Sequence, residues 1–340
     1  MDRSPLGRAA TVGAVSAREG PFIDAPLVLV SQISRSGGSL LAQLFDGHPQ
    51  VYAHPWEVRV WHPKKWDWPA LDPDASADEL LEALSDPKWA KIAEEGFAKA
   101  GRNPFAKSER HPFTFSDETQ RALFLELVAS RPVTRSRDVL DCWFTSFFAC
   151  WRDREPSGRE LSITGFMPRV ATSRESIERF AADYPDGALI SILRDPRSWY
   201  ASSRVVHFHK KESIGKAVEE WLEWGRRLEE LIDTSPVPTL GVLFDDLVLE
   251  PEPTMRRVAD FIGIEFDPIL LRPTYAGRPV LPNSSFAVSN YGINPEMANS
   301  REISSDARAA IAEEALPLYR RLADRLRAGR EGLAGRSRPS

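Results

Sequence analysis

Residues 27–57 read LVLVSQISRSGGSLLAQLFDGHPQVYAHPWE, and the changes of pattern inside this stretch decide the fold. Leu27 to Val30 is a short apolar run between Pro26 and polar residues, as expected of a strand buried on both faces of a parallel sheet. A polar turn from Ser31 to Ser39 follows and carries Gly37 and Gly38. Leu40, Leu41, Leu44 and Phe45 then recur at helical spacing and stop at Gly47-His48-Pro49, a helix end. Strand, tight loop and helix start aim several backbone N–H groups at one point, where the helix dipole favours an anion. Gly37 and Gly38 let the backbone approach a phosphate with no side chain in the way. Arg35 adds a permanent planar cation, and Ser34, Ser36 and Ser39 add neutral hydroxyl donors. The plainer reading is a connecting turn of the same composition. A loop built for triphosphates ends in Gly-Lys-Ser/Thr, and no lysine lies between Pro21 and Pro63. One arginine on a shorter loop suits a nucleotide with less phosphate at its 5′ end.

Beyond the helix, Gln50 to Ala53 form a second short strand. His54-Pro55-Trp56-Glu57 then opens a loop rich in aromatic residues and cations, with Trp61, His62, Lys64, Lys65, Trp66 and Trp68. Such a loop is either one wall of a substrate pocket or a packing loop. Glu57, the nearest carboxylate after the second strand, and His54 are the candidate general bases. Two helices between Ser76 and Ala100, one from Ser116 to Ala129 and one from Arg137 to Arg152 make a helical insertion that can cap the site.

Leu161 to Phe166 reads as a third strand ending at Met167-Pro168-Arg169, followed by a helix from Ser173 to Asp183 and a buried strand from Ala188 to Leu193. That strand ends at Arg194, and Pro196 can open a helix that carries Ser202 two turns along. Open α/β sheets bind ligands at this strand edge, so Arg194 and Ser202 together suit a second phosphate. A helix from Ile214 to Ile232, a strand from Thr239 to Phe244 ending in Asp245-Asp246, a helix from Glu252 to Ile262, an irregular segment from Tyr275 to Ser300 and a helix from Ser305 to Leu326 complete the chain. The alternation predicts an α/β fold of three layers, a parallel β-sheet with helices on both faces.

The 340 residues suffice for one large α/β domain, expected over 26–327 with the insertion at about 76–152. Hydrophobic content of 42% and charged content of 27% place the chain among ordinary globular proteins, and a net charge of −5 gives no support for nucleic-acid binding. Cys142 and Cys150 fall in an apolar helical stretch and read as two buried thiols, which fits a reducing compartment. Residues 1–25 and 328–340 are small and polar and read as disordered tails; no run reaches membrane-span length, so a cytoplasmic protein is expected.

Three blocks resemble the sulfotransferases that use 3′-phosphoadenosine-5′-phosphosulfate (PAPS). SRSGGSLLAQLFDGHP (34–49) resembles their 5′-phosphosulfate loop, LRDPRSWYASSR (193–204) their 3′-phosphate motif, and FDDLVLEPEPTMRRVADFIGIEFDP (244–268) their later strand–helix block. The resemblance implies the P-loop NTPase-like sulfotransferase fold and transfer of a sulfuryl group from PAPS to a small-molecule, glycan or lipid acceptor, without a metal. It implies that Ser34, Arg35, Ser36, Gly37, Gly38, Ser39 and Leu40 hold the 5′-phosphosulfate, with Arg35 also stabilising charge in transit. Arg194 and Ser202 would hold the 3′-phosphate, and Glu57 falls within about a residue of the base in some relatives. The chain departs from the family where many relatives carry a lysine: Met167 stands there, with Arg169 as a candidate substitute. The late loop that closes over the 3′-phosphate is not evident, and Arg278 or Arg301 are candidates. His207-Phe208-His209 reads as a solvated helix end rather than a ligand pair. Two rivals stand beside this reading. A P-loop nucleotide kinase draws on Leu240 to Asp246 (LGVLFDD), whose acids could hold magnesium, and a non-catalytic nucleotide-binding protein of the same fold is motivated by Met167.

Overall fold

Every residue of β1 (Leu27–Ser31) is buried, and alternate side chains feed two different cores. The computed structural model describes residues 19–58, 66–86, 88–97, 109–205, 213–284, 287–298 and 302–333. β1 is the middle strand of a parallel sheet completed by β2 (Val51–Glu57), β3 (Ser162–Phe166), β4 (Ala188–Leu193) and β5 (Thr239–Leu243), in the order β2-β3-β1-β4-β5. The chain leaves β1 for β2 on one side and later crosses to β4 on the other. The C-terminal end of β1 is therefore the point where the strand order reverses, the usual ligand crevice of such sheets.

The helices are α1 (Gly38–Phe45), α2 (Ala77–Leu84), α3 (Lys88–Glu95), α4 (Asp117–Ser130), α5 (Ser136–Cys150), α6 (Arg174–Asp183), α7 (Pro196–Val205), α8 (Ile214–Thr234), α9 (Phe244–Leu249), α10 (Pro251–Ile262), α11 (Ser305–Ala310) and α12 (Leu316–Leu333). A π-helical turn over Ile311–Ala315 joins α11 to α12, and β6 (Thr274–Tyr275) pairs with β7 (Arg278–Pro279) in a small hairpin. Leu27 and Leu29 join the larger core, with Trp143 of α5, Phe180 of α6, Trp221 of α8 and Leu322 of α12. Val28 and Val30 join the smaller one, with Leu40 and Leu44 of α1, Leu247 of α9 and Met255 of α10. Helices on both faces make the three expected layers.

Several boundaries differ from the sequence reading. β2 runs on through His54-Pro55-Trp56 to Glu57, with a register shift against β3 between Ala53 and Glu57. Pro55 is tolerated because β2 is an edge strand and the shift absorbs its missing N–H. β5 stops at Leu243 and the chain turns at once into α9, so Asp245 and Asp246 are first-turn acids, which the helix dipole favours, rather than a strand end. Order begins before residue 26: Ile23 is buried and its N–H donates to Thr145 Oγ1 at 2.9 Å. α12 continues past 327 to Leu333. The expected tails otherwise fall on 1–18 and 334–340, outside the described residues. Of the insertion helices, α5 is a wall of the larger core, with Trp143 stacked on Phe147 and Trp151 tilted against it. Cys142 and Cys150 are buried free thiols, pushed up to about 11 and about 12 by burial. Among the described residues no helix is long and apolar enough to cross a membrane.

Candidate functional site

The loop after β1 is shaped by two residues with positive φ. Arg35 sits at φ 77° and Gly37, the N-cap of α1, at φ 107°. A Cβ on Gly37 would fall 2.3 Å from the Phe244 ring, and one on Gly38 would fall 2.6 Å from Phe166, so the loop backbone packs closer than any other residue permits. The loop is tied down from outside: Trp199 Nε1 donates to the Ser34 carbonyl at 2.9 Å, and the Gly38 N–H donates to Gln32 Oε1 at 2.5 Å. Ser36 is fully buried, and its Oγ has no partner among the described residues.

Arg194, at the end of β4, is 5% exposed and ties three elements together. Its Nε donates to Ser198 Oγ at 3.1 Å, Nη1 to the Arg35 carbonyl at 3.1 Å and Nη2 to the Met297 carbonyl at 3.0 Å. Its guanidinium lies 4.3 Å from the centre of the Phe244 ring. Burial pulls Arg194 down to about 10 while nearby Asp245 opposes the shift, so it remains a cation at neutral pH. Arg35 Nε reaches toward Ser202 Oγ on α7 at 3.5 Å, the long end of a hydrogen bond.

Arg35, Gly37, Ser39, Leu40, Arg194 and Ser202 meet in one cavity of about 40 Å³ at the C-terminal edge of the sheet. Gln32, Phe244, Asn283, Ser284 and Met297 complete its walls. Ser34, Ser36 and Gly38 lie in the loop without lining the cavity. A space of this size admits an anionic group rather than a whole nucleotide. The residues fit such an anion: two guanidinium groups, two or more hydroxyls and a helix N-terminus approach from different elements.

The other candidates lie elsewhere. Glu57, at the end of β2, pairs in register with Phe166 and so reaches the same sheet edge as Arg194, outside the cavity wall. His54 is 4% exposed, stacked on Trp143 at 5.9 Å and against Phe147 at 4.7 Å, and it borders a separate small pocket with Asp46 and Tyr275. The packing that β2 imposes places it outside the wall of the cavity at the loop. Met167 is fully buried in the larger core, while Arg169 adopts φ 70° and donates to Glu220 Oε1 at 3.1 Å. Arg169 lines a second, open cleft of about 580 Å³ with Ile33, Thr172, Trp224 and the charged face of α8.

Trp68 packs edge-on against Phe180 and donates to Asp183 Oδ2 at 2.7 Å, the packing reading of its loop, whereas Trp66 lies under Arg169 at 5.7 Å. Trp61, His62, Lys64, Lys65, His207, Phe208, His209 and Arg301 lie outside the described residues. Arg278 is exposed on the hairpin; Asn283, Ser284 and Met297 supply the late wall instead. Asp245 accepts from Tyr319 Oη at 2.8 Å, and Asp246 pairs with Arg327 at 2.8 Å. Both acids are thus engaged on the side of α12.

Phe244 was within reach of the sequence as the last apolar residue of a strand aimed at the ligand edge. Asn283, Ser284 and Met297 carry no periodic signal, because they come from an irregular segment brought over by tertiary contacts.

Residues 26–268 match the family model described as "Sulfotransferase family". No curated protein matches the sequence. Among solved structures, the sulfotransferase domain from the Synechococcus PCC 7002 olefin synthase is 17% identical, with a TM-score of 0.50 over 87% of this chain and 97% of that one. The sulfotransferase domain from the curacin biosynthetic pathway is 15% identical, with a TM-score of 0.49 over 85% and 97%. A sulfotransferase from Alicyclobacillus acidocaldarius is 14% identical, with a TM-score of 0.43 over 89% and 96%.

Proposed function

The chain belongs to the sulfotransferase family, and on that premise we propose that it transfers the sulfuryl group of PAPS to a hydroxyl or amine of a small-molecule or glycan acceptor. The observation that carries this reading is the convergence of Arg35, Arg194 and Ser202 on one cavity at the ligand edge of a parallel sheet. Two permanent cations from different elements suit a nucleotide that carries phosphate at both its 5′ and 3′ positions. Bound PAPS supplies a sulfuryl group already attached to a good leaving group.

The protein's part is positioning and electrostatics. Ser34 to Leu40 cradle the 5′-phosphosulfate, and Arg35 meets the charge that spreads over the sulfuryl oxygens. Arg194 and Ser202 hold the 3′-phosphate, and Arg194 exchanges its bond to the Met297 carbonyl for phosphate oxygens. Glu57, at the same edge, takes the acceptor's proton. Gln32 lines the cavity and its neighbour Ile33 lines the cleft of about 580 Å³, which makes that cleft the natural approach for the acceptor. The kinase reading loses its main support, since Asp245 and Asp246 are bonded to Tyr319 and Arg327.

Calorimetric titration with adenosine 3′,5′-bisphosphate (PAP), set against AMP and against ATP with and without magnesium, tests the donor. Magnesium-independent binding that needs the 3′-phosphate is the expected result, and Arg194→Ala should weaken it at least about tenfold, ~1.4 kcal/mol. Preference for magnesium and ATP would instead establish a kinase.

A further inference from the structure

Gln32 follows β1 directly and is 4% exposed. Its backbone carbonyl accepts from the Arg169 N–H at 3.0 Å, which seats it beside the end of β3. Its carboxamide packs against the start of α1: the Gly38 N–H donates to Oε1 at 2.5 Å, and a Cβ on Gly38 would fall 2.8 Å from the carboxamide carbon. An N–H donor must face the oxygen end of an amide, so this bond fixes which way the carboxamide points. With Oε1 taken by Gly38, Nε2 is the end of the carboxamide left to serve the cavity that Gln32 lines with Arg35 and Ser39. Among the described residues none accepts a hydrogen bond from Nε2. An amide held in one orientation at the wall of the cavity, with donors that no described residue takes up, can serve an acceptor that arrives with a ligand.

The place of this group matters as much as its chemistry. Gln32 bridges the helix start that faces the 5′ end of the nucleotide and the β3 end where Met167 replaces a cation. We propose that Gln32 is a further catalytic residue, whose Nε2 donates to a non-bridging oxygen of the sulfuryl group in the bound donor and in transit. This rests on the sulfotransfer reading above. In the step, the bond from sulfur to the bridging phosphate oxygen breaks and its electron pair stays on the phosphate. A bond from sulfur to the acceptor oxygen forms, and the acceptor's proton passes to Glu57. Gln32 gives up no proton; it offers a neutral donor to oxygens that gain charge, as carboxamides do in oxyanion sites.

The test compares affinities for PAPS and for PAP, which lacks the sulfuryl group, in the full chain and in Gln32→Glu and Gln32→Met. The glutamate keeps an acceptor for the Gly38 N–H and removes the donors, while the methionine removes both at similar size. Thermal unfolding of each variant confirms that it is folded. The wild type should prefer PAPS to PAP, and both variants should lose that preference by about tenfold or more. Affinities for PAPS and PAP that fall in step in both variants, or a ratio that neither variant changes, overturn the inference and leave Gln32 a helix cap. Wild-type protein that binds neither nucleotide overturns the sulfotransfer reading itself, and this inference with it.

Discussion

Arg35 holds a left-handed backbone conformation that costs a non-glycine residue roughly 1–2 kcal/mol, at the centre of the loop proposed to hold the 5′-phosphosulfate. Its side chain and its backbone can therefore be separated by experiment. Arg35→Gly removes the cation and relieves the strain, with the glycine's extra chain entropy offsetting part of the gain. It should leave stability within about 1 kcal/mol of wild type while weakening PAP binding at least about tenfold, measured by thermal unfolding and calorimetry. Gly37→Ala is the converse case. It adds a methyl group to a φ of 107° and drives it into the Phe244 ring, so it should cost roughly 2 kcal/mol or more of stability and abolish binding. Unchanged unfolding in that variant would mean that loop and ring do not pack as described. Arg35, Ser39, Arg194 and Ser202 were legible in the sequence because each stands in a short local pattern at a strand end. Met297 was not, since its place in the wall depends on how a distant segment packs.

At the scale of elements, the strands were the legible part. Each reads as an apolar run because each is buried on both faces, and four of the five end within a residue of the expected position. β2 was misread because His-Pro-Trp resembles a break, and only its place at the sheet edge, invisible locally, lets a strand continue through it. The late segment gives the prediction that belongs to this scale. Arg194 spends one donor on the Met297 carbonyl, so a 3′-phosphate held by Arg194 competes with this segment. Hydrogen exchange at residues 287–298 should change when PAP binds the wild type. An unaltered pattern at saturation would place the 3′-phosphate away from Arg194.

For the whole molecule, the larger core holds a buried polar knot. Asp141 accepts from Tyr184 Oη at 2.8 Å and pairs with Arg137 at 3.3 Å, and burial raises its carboxyl to about 6. The folded protein thus keeps a proton that the unfolded chain releases between about pH 4 and 6. The stability this contributes is present below that window and is lost as pH rises through 6. Relative to Asp141→Asn, which does not titrate, wild-type stability should fall by on the order of 2 kcal/mol between pH 4 and 7 in denaturant titrations. A difference that stays flat with pH would locate the proton elsewhere.

The alternation along β1 has a consequence for how such a protein can change over time. Leu40, Phe244 and Met297, which wall the small cavity, belong to one core, whereas Ile33 and Trp224, which border the open cleft, belong to the other. A rigid sheet separates the two, and substitutions that share no partners add nearly independently. On the proposed reading, with the acceptor in the cleft, drift there would reach the nucleotide side chiefly where Gln32 adjoins Ile33 and Arg169, so a lineage could explore new acceptors while keeping its donor site.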